Sequence, residues 1–172
     1  MKTLILEKFP RILKNKRHLE KSLNVKISNR GKEVSVDGEA EDEYIAELIF
    51  LALEFGFPFS TAMLIKYDDY MFETIPIKSV SNKKNMANIK ARIIGTGGKT
   101  LQTLTTLTNC FYELKDNEVG IIGPPELMKT SQTALTSLIK GAKTANVYSF
   151  LEKHQPQPID DLGLINEKKK RR

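Results

Sequence analysis

Asn24 to Gly38 reads NVKISNRGKEVSVDG, and Asn109 to Gly123 reads NCFYELKDNEVGIIG. At this offset of 85 residues Asn24 and Asn109, Glu33 and Glu118, Val34 and Val119, and Gly38 and Gly123 are identical. The register runs on without a gap through the next segment to Gly56 and Gly141. A fixed internal period means that one supersecondary plan is used twice. A chain of 172 residues has room for one ordinary domain or two small ones, so the duplication predicts two small units of the same design.

Each copy carries the same pattern. Residues 25–29 and 110–115 read as strands, with turns at Asn29-Arg30-Gly31-Lys32 and Lys115-Asp116-Asn117, and second strands at 33–37 and 118–122. Helices are expected over 39–56 and 124–141, each ending in Gly, the residue that best tolerates a left-handed C-cap. Glu39, Glu41, Asp42 and Glu43 suit the positive end of the first of these helices better than a metal site. Pro124 and Pro125 open the second, where a missing N–H costs little. Upstream strands are expected at 2–8 and 71–80.

The halves then diverge. The second copy has room for a helix between Ile77 and Gly95, and TLQTLTTLT supplies another with Leu101, Leu104 and Leu107 inward. The first copy passes from Leu6 into FPRILKNKRHLEKSL, an uninterrupted helical pattern with no glycine. Matching the first strands gives an offset near 71, so about 14 residues are missing from the first helix and glycine turn of copy one.

Charge is segregated along the chain. Residues 8–32 hold nine Lys/Arg against one acid, Glu20, whereas residues 33–54 hold eight acids and no base. Residues 78–99 hold six bases (Lys78, Lys83, Lys84, Lys90, Arg92, Lys99) and no acid, and they lead into a glycine loop. That arrangement points to a phosphate-bearing partner. No apolar run approaches the roughly 18 residues of a membrane span, and MKTLILEKFPR turns charged too soon for a signal peptide. The expectation is a protein of the cytoplasm, or of the nucleus or nucleolus if the source is a eukaryote. The single cysteine, Cys110, excludes an intramolecular disulfide and a cysteine zinc site, and reads as a small buried strand residue.

The loop itself, ARIIGTGGKTLQTL at 91–104, ends its glycines in Gly98-Lys99-Thr100, as a nucleotide-binding loop would. A Walker loop, however, needs its first glycine where Ile93 stands, and a buried strand before it. The preceding NKKNMANIKARI is basic and helix-like, and no nearby strand ends in an acid to hold magnesium. A dinucleotide fingerprint starting at Gly95 would need glycine at Thr100. Nucleotide hydrolysis is therefore the weakest reading, and no Ser/His/Asp, Cys/His or paired-carboxylate set is evident. No catalytic group, cofactor or metal is expected.

Ile93-Ile94-Gly95-Thr96-Gly97-Gly98-Lys99-Thr100-Leu101-Gln102-Thr103-Leu104 instead resembles the I-I-G-x-x-G-x-x-I-x-x-I pattern of KH domains, with leucines at the last two apolar positions. The order strand, helix, GxxG, helix, strand, strand, helix is that of a type I KH domain. Glycines at 95 and 98 admit a phosphodiester backbone, the next helix aims its N-terminal N–H groups at phosphates, and Lys90, Arg92 and Lys99 add positive charge. The groove beside strand 110–115 would hold about four unstacked bases. The expected RNA-binding set is Lys90, Arg92, Ile93, Ile94, Gly95, Thr96, Gly97, Gly98, Lys99, Thr100, Leu101, Phe111 and Tyr112. Phe111 and Tyr112 lie on the bordering strand, one facing core and the other outward, and alternation does not say which.

With LEFGFPFSTAMLI, DDYMFETIPI and VYSFLEK added, residues 1–153 resemble the archaeal ribosomal-RNA-assembly KH proteins, relatives of the eukaryotic Partner-of-Nob and KRR small-subunit assembly factors. The resemblance implies an α+β protein of two pseudo-repeated type I KH-like domains, each a three-stranded sheet with helices on one face. The domains are expected at 1–70, degenerate, and at 71–153, complete; the lack of GxxG in the first departs from many archaeal relatives and moves that half toward a packing or protein-binding role. It further implies a non-enzymatic protein that binds single-stranded small-subunit rRNA near its 3′ end, beside the PIN-domain endonuclease that trims it. An association with the α subunit of initiation factor two is known in the archaeal branch. A KH-fold protein scaffold with little direct RNA contact is the alternative. Phe55, Phe57 and Phe59 are expected at a seam between the halves, and His18 and His154 at the surface. Residues 154–172, ending in KKKRR, are expected to form a flexible basic arm of non-specific affinity, or a nuclear-import signal in a eukaryote.

Overall fold

Alternation in the strands and Gly-punctuated helices produce the same unit twice in the computed structural model, which describes residues 1–7, 10–81 and 85–155. In the first unit, strands β1 (Lys2–Ile5), β2 (Lys26–Arg30) and β3 (Glu33–Asp37) form an antiparallel sheet in the order β1-β3-β2. Helices α1 (Pro10–Lys14), α2 (Lys16–Leu23), α3 (Ala40–Phe55) and α4 (Phe59–Tyr67) complete it. In the second unit β4 (Met71–Pro76), β5 (Phe111–Lys115) and β6 (Glu118–Gly123) repeat that order as β4-β6-β5. Its helices are α5 (Ile77–Val80), α6 (Met86–Ile94), α7 (Lys99–Thr108), α8 (Pro125–Lys140) and α9 (Thr144–Lys153). The expected strand–helix plan and KH-type fold are therefore present in both copies.

Several expectations need correction. The segment 9–23 is not one helix: it breaks at Asn15, whose φ of −110° and ψ of 10° leave the helical region and whose Nδ2 donates to the Arg11 carbonyl at 3.1 Å. The strand expected over 71–80 stops at Pro76, whose ring removes a ladder donor, and residues 77–80 turn helical. The first strand ends at Ile5. In α7 only Leu104 of the three leucines is fully buried, because Thr100 and Thr108 occupy the inward positions beside it while Leu101 and Leu107 sit at the margin. Lys83 and Lys84 and the basic tail from residue 156 onward lie outside the described residues.

The two sheets differ in what covers them. β3 alternates, with Val34 and Val36 buried and Ser35 toward the other face, as a sheet with one packed face requires. β6 is buried from Val119 through Gly123, because the junction of α3 and α4 packs on its second face. Phe55 and Phe57 stand there against Phe72, with ring centroids 6.1 and 5.9 Å from it. Gly120 makes the approach possible: a Cβ on it would lie 2.8 Å from both rings. Ile122 and Phe111 join this first-unit core. Phe55 and Phe57 therefore form the expected seam, whereas Phe59 stays within the first unit, its ring edge-on to His18 at 5.2 Å.

Candidate nucleic-acid interface

The glycine segment forms a single 3₁₀ turn, Thr96–Gly98, between α6 and α7. α6 is started by Asn85, whose side chain accepts from the Asn88 N–H at 3.2 Å, and it ends at Gly95. The three glycines do different work. Gly95, at φ 75° and ψ 173°, occupies a region essentially closed to other residues. A Cβ there would lie 2.2 Å from Thr100 Oγ1, so its missing side chain admits the start of α7. Gly97 and Gly98 are also left-handed (φ 61° and 78°), but a Cβ on either would meet nothing within 4 Å. They hold an exposed backbone open to a visitor. No side chain caps the N-terminus of α7, so its first turn keeps the positive end of the helix dipole facing the loop.

The flanking residues sort by face. Ile93 is fully buried and Ile94 is 37% exposed. Lys90 lies four residues before Ile94 and shares its flank. Arg92 is about 200° round the helix from Lys90. On that opposite flank its Nη2 donates to the Ala142 carbonyl in the turn between α8 and α9. The concavity there is lined by Asn88, Ala91, Arg92, Thr96, Thr100 and Thr144. The first unit repeats the bond: Arg11 Nη1 donates to the Gly56 carbonyl at 3.0 Å in the turn between α3 and α4. Arg11-Ile12-Leu13 and Arg92-Ile93-Ile94 correspond at an offset of 81, with Ile12 and Ile93 buried and Leu13 and Ile94 exposed. The sequence carried this signal as RILK against RIIG. Four of the residues missing from copy one therefore come out of the glycine loop itself, where only the break at Asn15 remains.

The other wall is β5, whose far edge is free because β5 ends the sheet order. Leu101 on α7 and Leu114 on β5 lie half-buried at the margin of the second core; Leu114 was not anticipated, although its alternation with Tyr112 marks it. Neither aromatic of β5 is fully exposed. Tyr112 is buried among the helices with its hydroxyl 2.8 Å from Thr108 Oγ1, and burial pushes that phenol up to about 12. Phe111 packs against the first-unit core. The expected alternation holds, with Tyr112 facing its own core and Phe111 the opposite face, but the first unit partly covers that second face. Cys110 is fully buried, and burial raises its thiol above the usual range, which suits a structural residue. Among the described residues no cluster of His, Cys, Asp and Glu has the geometry to hold a metal ion, and no helix is long and apolar enough to cross a membrane.

Against known proteins, a family model for the second KH domain of PNO1 proteins, described as a eukaryotic-type KH domain (KH-domain type I), matches residues 71–156, half of the chain. A KH domain-containing protein of Methanocaldococcus jannaschii is 29% identical over 147 residues, covering 81% of this chain and 65% of its own length. RNA-binding protein PNO1 of Oryzias latipes is 29% identical over 139 residues, covering 76% of this chain and 56% of its own length. The chain thus spans less than two thirds of each relative. Among solved structures, Dim2p from Pyrococcus horikoshii superposes with a TM-score of 0.81 at 22% identity, over 88% of this chain and 98% of that one. The a/eIF2α–aDim2p–rRNA complex of the same organism matches with a TM-score of 0.80 at 22% identity, over 90% and 93%. These two likenesses establish the fold.

Proposed function

Since this chain belongs to the PNO1 family of type I KH-domain, RNA-binding proteins, we propose that it binds single-stranded small-subunit rRNA near the 3′ end through its second unit during ribosome assembly. The observation that carries the reading is the open backbone at Gly97 and Gly98, where nothing lies within 4 Å of either Cβ position, directly before an uncapped helix N-terminus. A phosphate docks on that backbone beside Lys99, while bases lie along Ile94, Leu101 and Leu114 toward the free edge of β5. Lys90 adds charge on the same flank. Ile93, Gly95 and Thr100 hold the loop in shape, Tyr112 supports β5 from beneath, and Arg92 ties the turn behind it. Residues 1–70 serve as the KH-like unit without the loop, and 71–153 as the RNA-binding unit.

The partners proposed with the RNA are the α subunit of initiation factor two and the PIN-domain endonuclease. The first is supported by the Pyrococcus complex, which pairs a structural neighbour of this chain with a/eIF2α and rRNA. The test is a paired substitution, Thr96→Asp and Gly97→Asp, titrated with a single-stranded RNA of the small-subunit 3′ end. Two negative charges at the phosphate position should weaken binding about a hundredfold. Asp tolerates the left-handed conformation at Gly97 for roughly 1 kcal/mol, so the fold persists. A folded variant with undiminished RNA affinity would overturn the reading.

A further inference from the structure

The acidic half of the first unit is not used by the RNA reading. On α3, Tyr44, Leu48, Leu51 and Phe55 follow at spacings of four, three and four, which places them on one stripe of the helix. Among the described residues the stripe is fully covered at its C-terminal end, where Phe55 packs into the seam against the second sheet, while Leu48 is partly covered by the first core. Toward the N-terminus Leu48 is half-buried, Leu51 is 38% exposed and Tyr44 is 57% exposed. Acids border it on both sides, Glu41 on one and Glu47 and Glu54 on the other. Lys2 reaches Glu47 from β1, and Lys66 pairs with Asp42 at 3.4 Å.

The duplication supplies an internal control. At the same offset of 85, α8 carries Lys129, Thr133 and Thr136 where α3 has Tyr44, Leu48 and Leu51. The fold therefore does not require apolar residues at these positions. A seam that continues an existing interface, stays open for two turns among the described residues and has carboxylates along its borders repels RNA and complements a cationic, apolar surface.

We propose that the Tyr44–Leu48–Leu51 face of α3 docks a basic amphipathic helix of a partner protein. This goes beyond the RNA groove and does not depend on it. The probe is a synthetic helical peptide with leucines at alternating spacings of three and four and lysines elsewhere, titrated into isotopically labelled full-length protein. A control peptide carries serine for every leucine. The expected result is saturable binding with amide shifts centred on residues 41–51, no comparable binding of the serine peptide, and at least tenfold weaker binding by Tyr44→Lys with Leu51→Thr. Those substitutions install residues that α8 already carries, and they should leave RNA affinity unchanged. Glu41→Lys, at an exposed position, repeats the test should the double variant fold poorly. Absence of peptide binding, equal binding of the serine peptide, shifts centred on another face, or perturbation of α3 by single-stranded RNA would each overturn the proposal.

Discussion

Substituting Gly95 and Gly98 should separate the two uses of glycine in one loop. Gly95→Ala meets Thr100 at 2.2 Å in a backbone region closed to alanine, and the expected cost is about 3 kcal/mol of stability. Gly98→Ala meets nothing and should cost only the left-handed preference, roughly 1 kcal/mol, while weakening RNA. Denaturant melts read beside RNA titration check both. Tyr112 gives a second residue-level prediction. Its phenol titrates at about 12 in the folded protein against an ordinary 10.0, so the unfolded chain loses its proton first as the pH rises. The stabilising contribution is complete below pH 10 and falls away between there and about 12, by about 2–3 kcal/mol. Tyr112→Phe should lack that alkaline component, and the difference between the two stability–pH curves isolates it from lysine titration.

At the scale of elements, the paired arginines show how α6 and α1 are held. Arg11 on α1 and Arg92 on α6 each bridge their helix to the turn after the long helix of the same unit. Arg92→Gln should therefore lower stability by about 1 kcal/mol and change RNA affinity by less than about threefold, whereas Lys99→Gln should do the reverse. Equal RNA losses from the two would restore Arg92 to the groove. The sequence carried the strand pairing, the long helices and the GxxG because each depends on local pattern: alternation, glycine caps, and a spacing that few other loops share. It did not carry the break at Asn15, because nothing in KNKR marks a helix end, nor the partial covering of Phe111. Period-two alternation separates the two faces of a strand but does not say how many of them are covered, and here the cover comes from Phe55 and Phe57, more than fifty residues earlier. The flank of Arg92 was legible only by comparing RILK with RIIG.

For the whole molecule, the contact of the α3–α4 junction with the second sheet joins a knob on one unit to a socket on the next. Because the units are copies, this is a head-to-tail union, which repeats into rings or open filaments according to its rotation. Among the described residues two positions therefore lack this contact: the outer face of the first sheet and the turn between α8 and α9. Both are chemically blocked. At the offset of 85, Gly120 and Ile122 of the socket correspond to Ser35 and Asp37, and Phe55 and Phe57 of the knob correspond to Lys140 and Ala142. Ser35 Oγ lies 3.1 Å from Thr3 Oγ1 across that face. The chain resembles a dimer cut from a polymer with both growing ends terminated. Ser35→Gly with Asp37→Ile should reopen one end, and Lys140→Phe with Ala142→Phe the other. Sedimentation should show each double variant alone as a single molecule, an equimolar mixture as discrete pairs, and the quadruple variant as larger assemblies that grow with concentration.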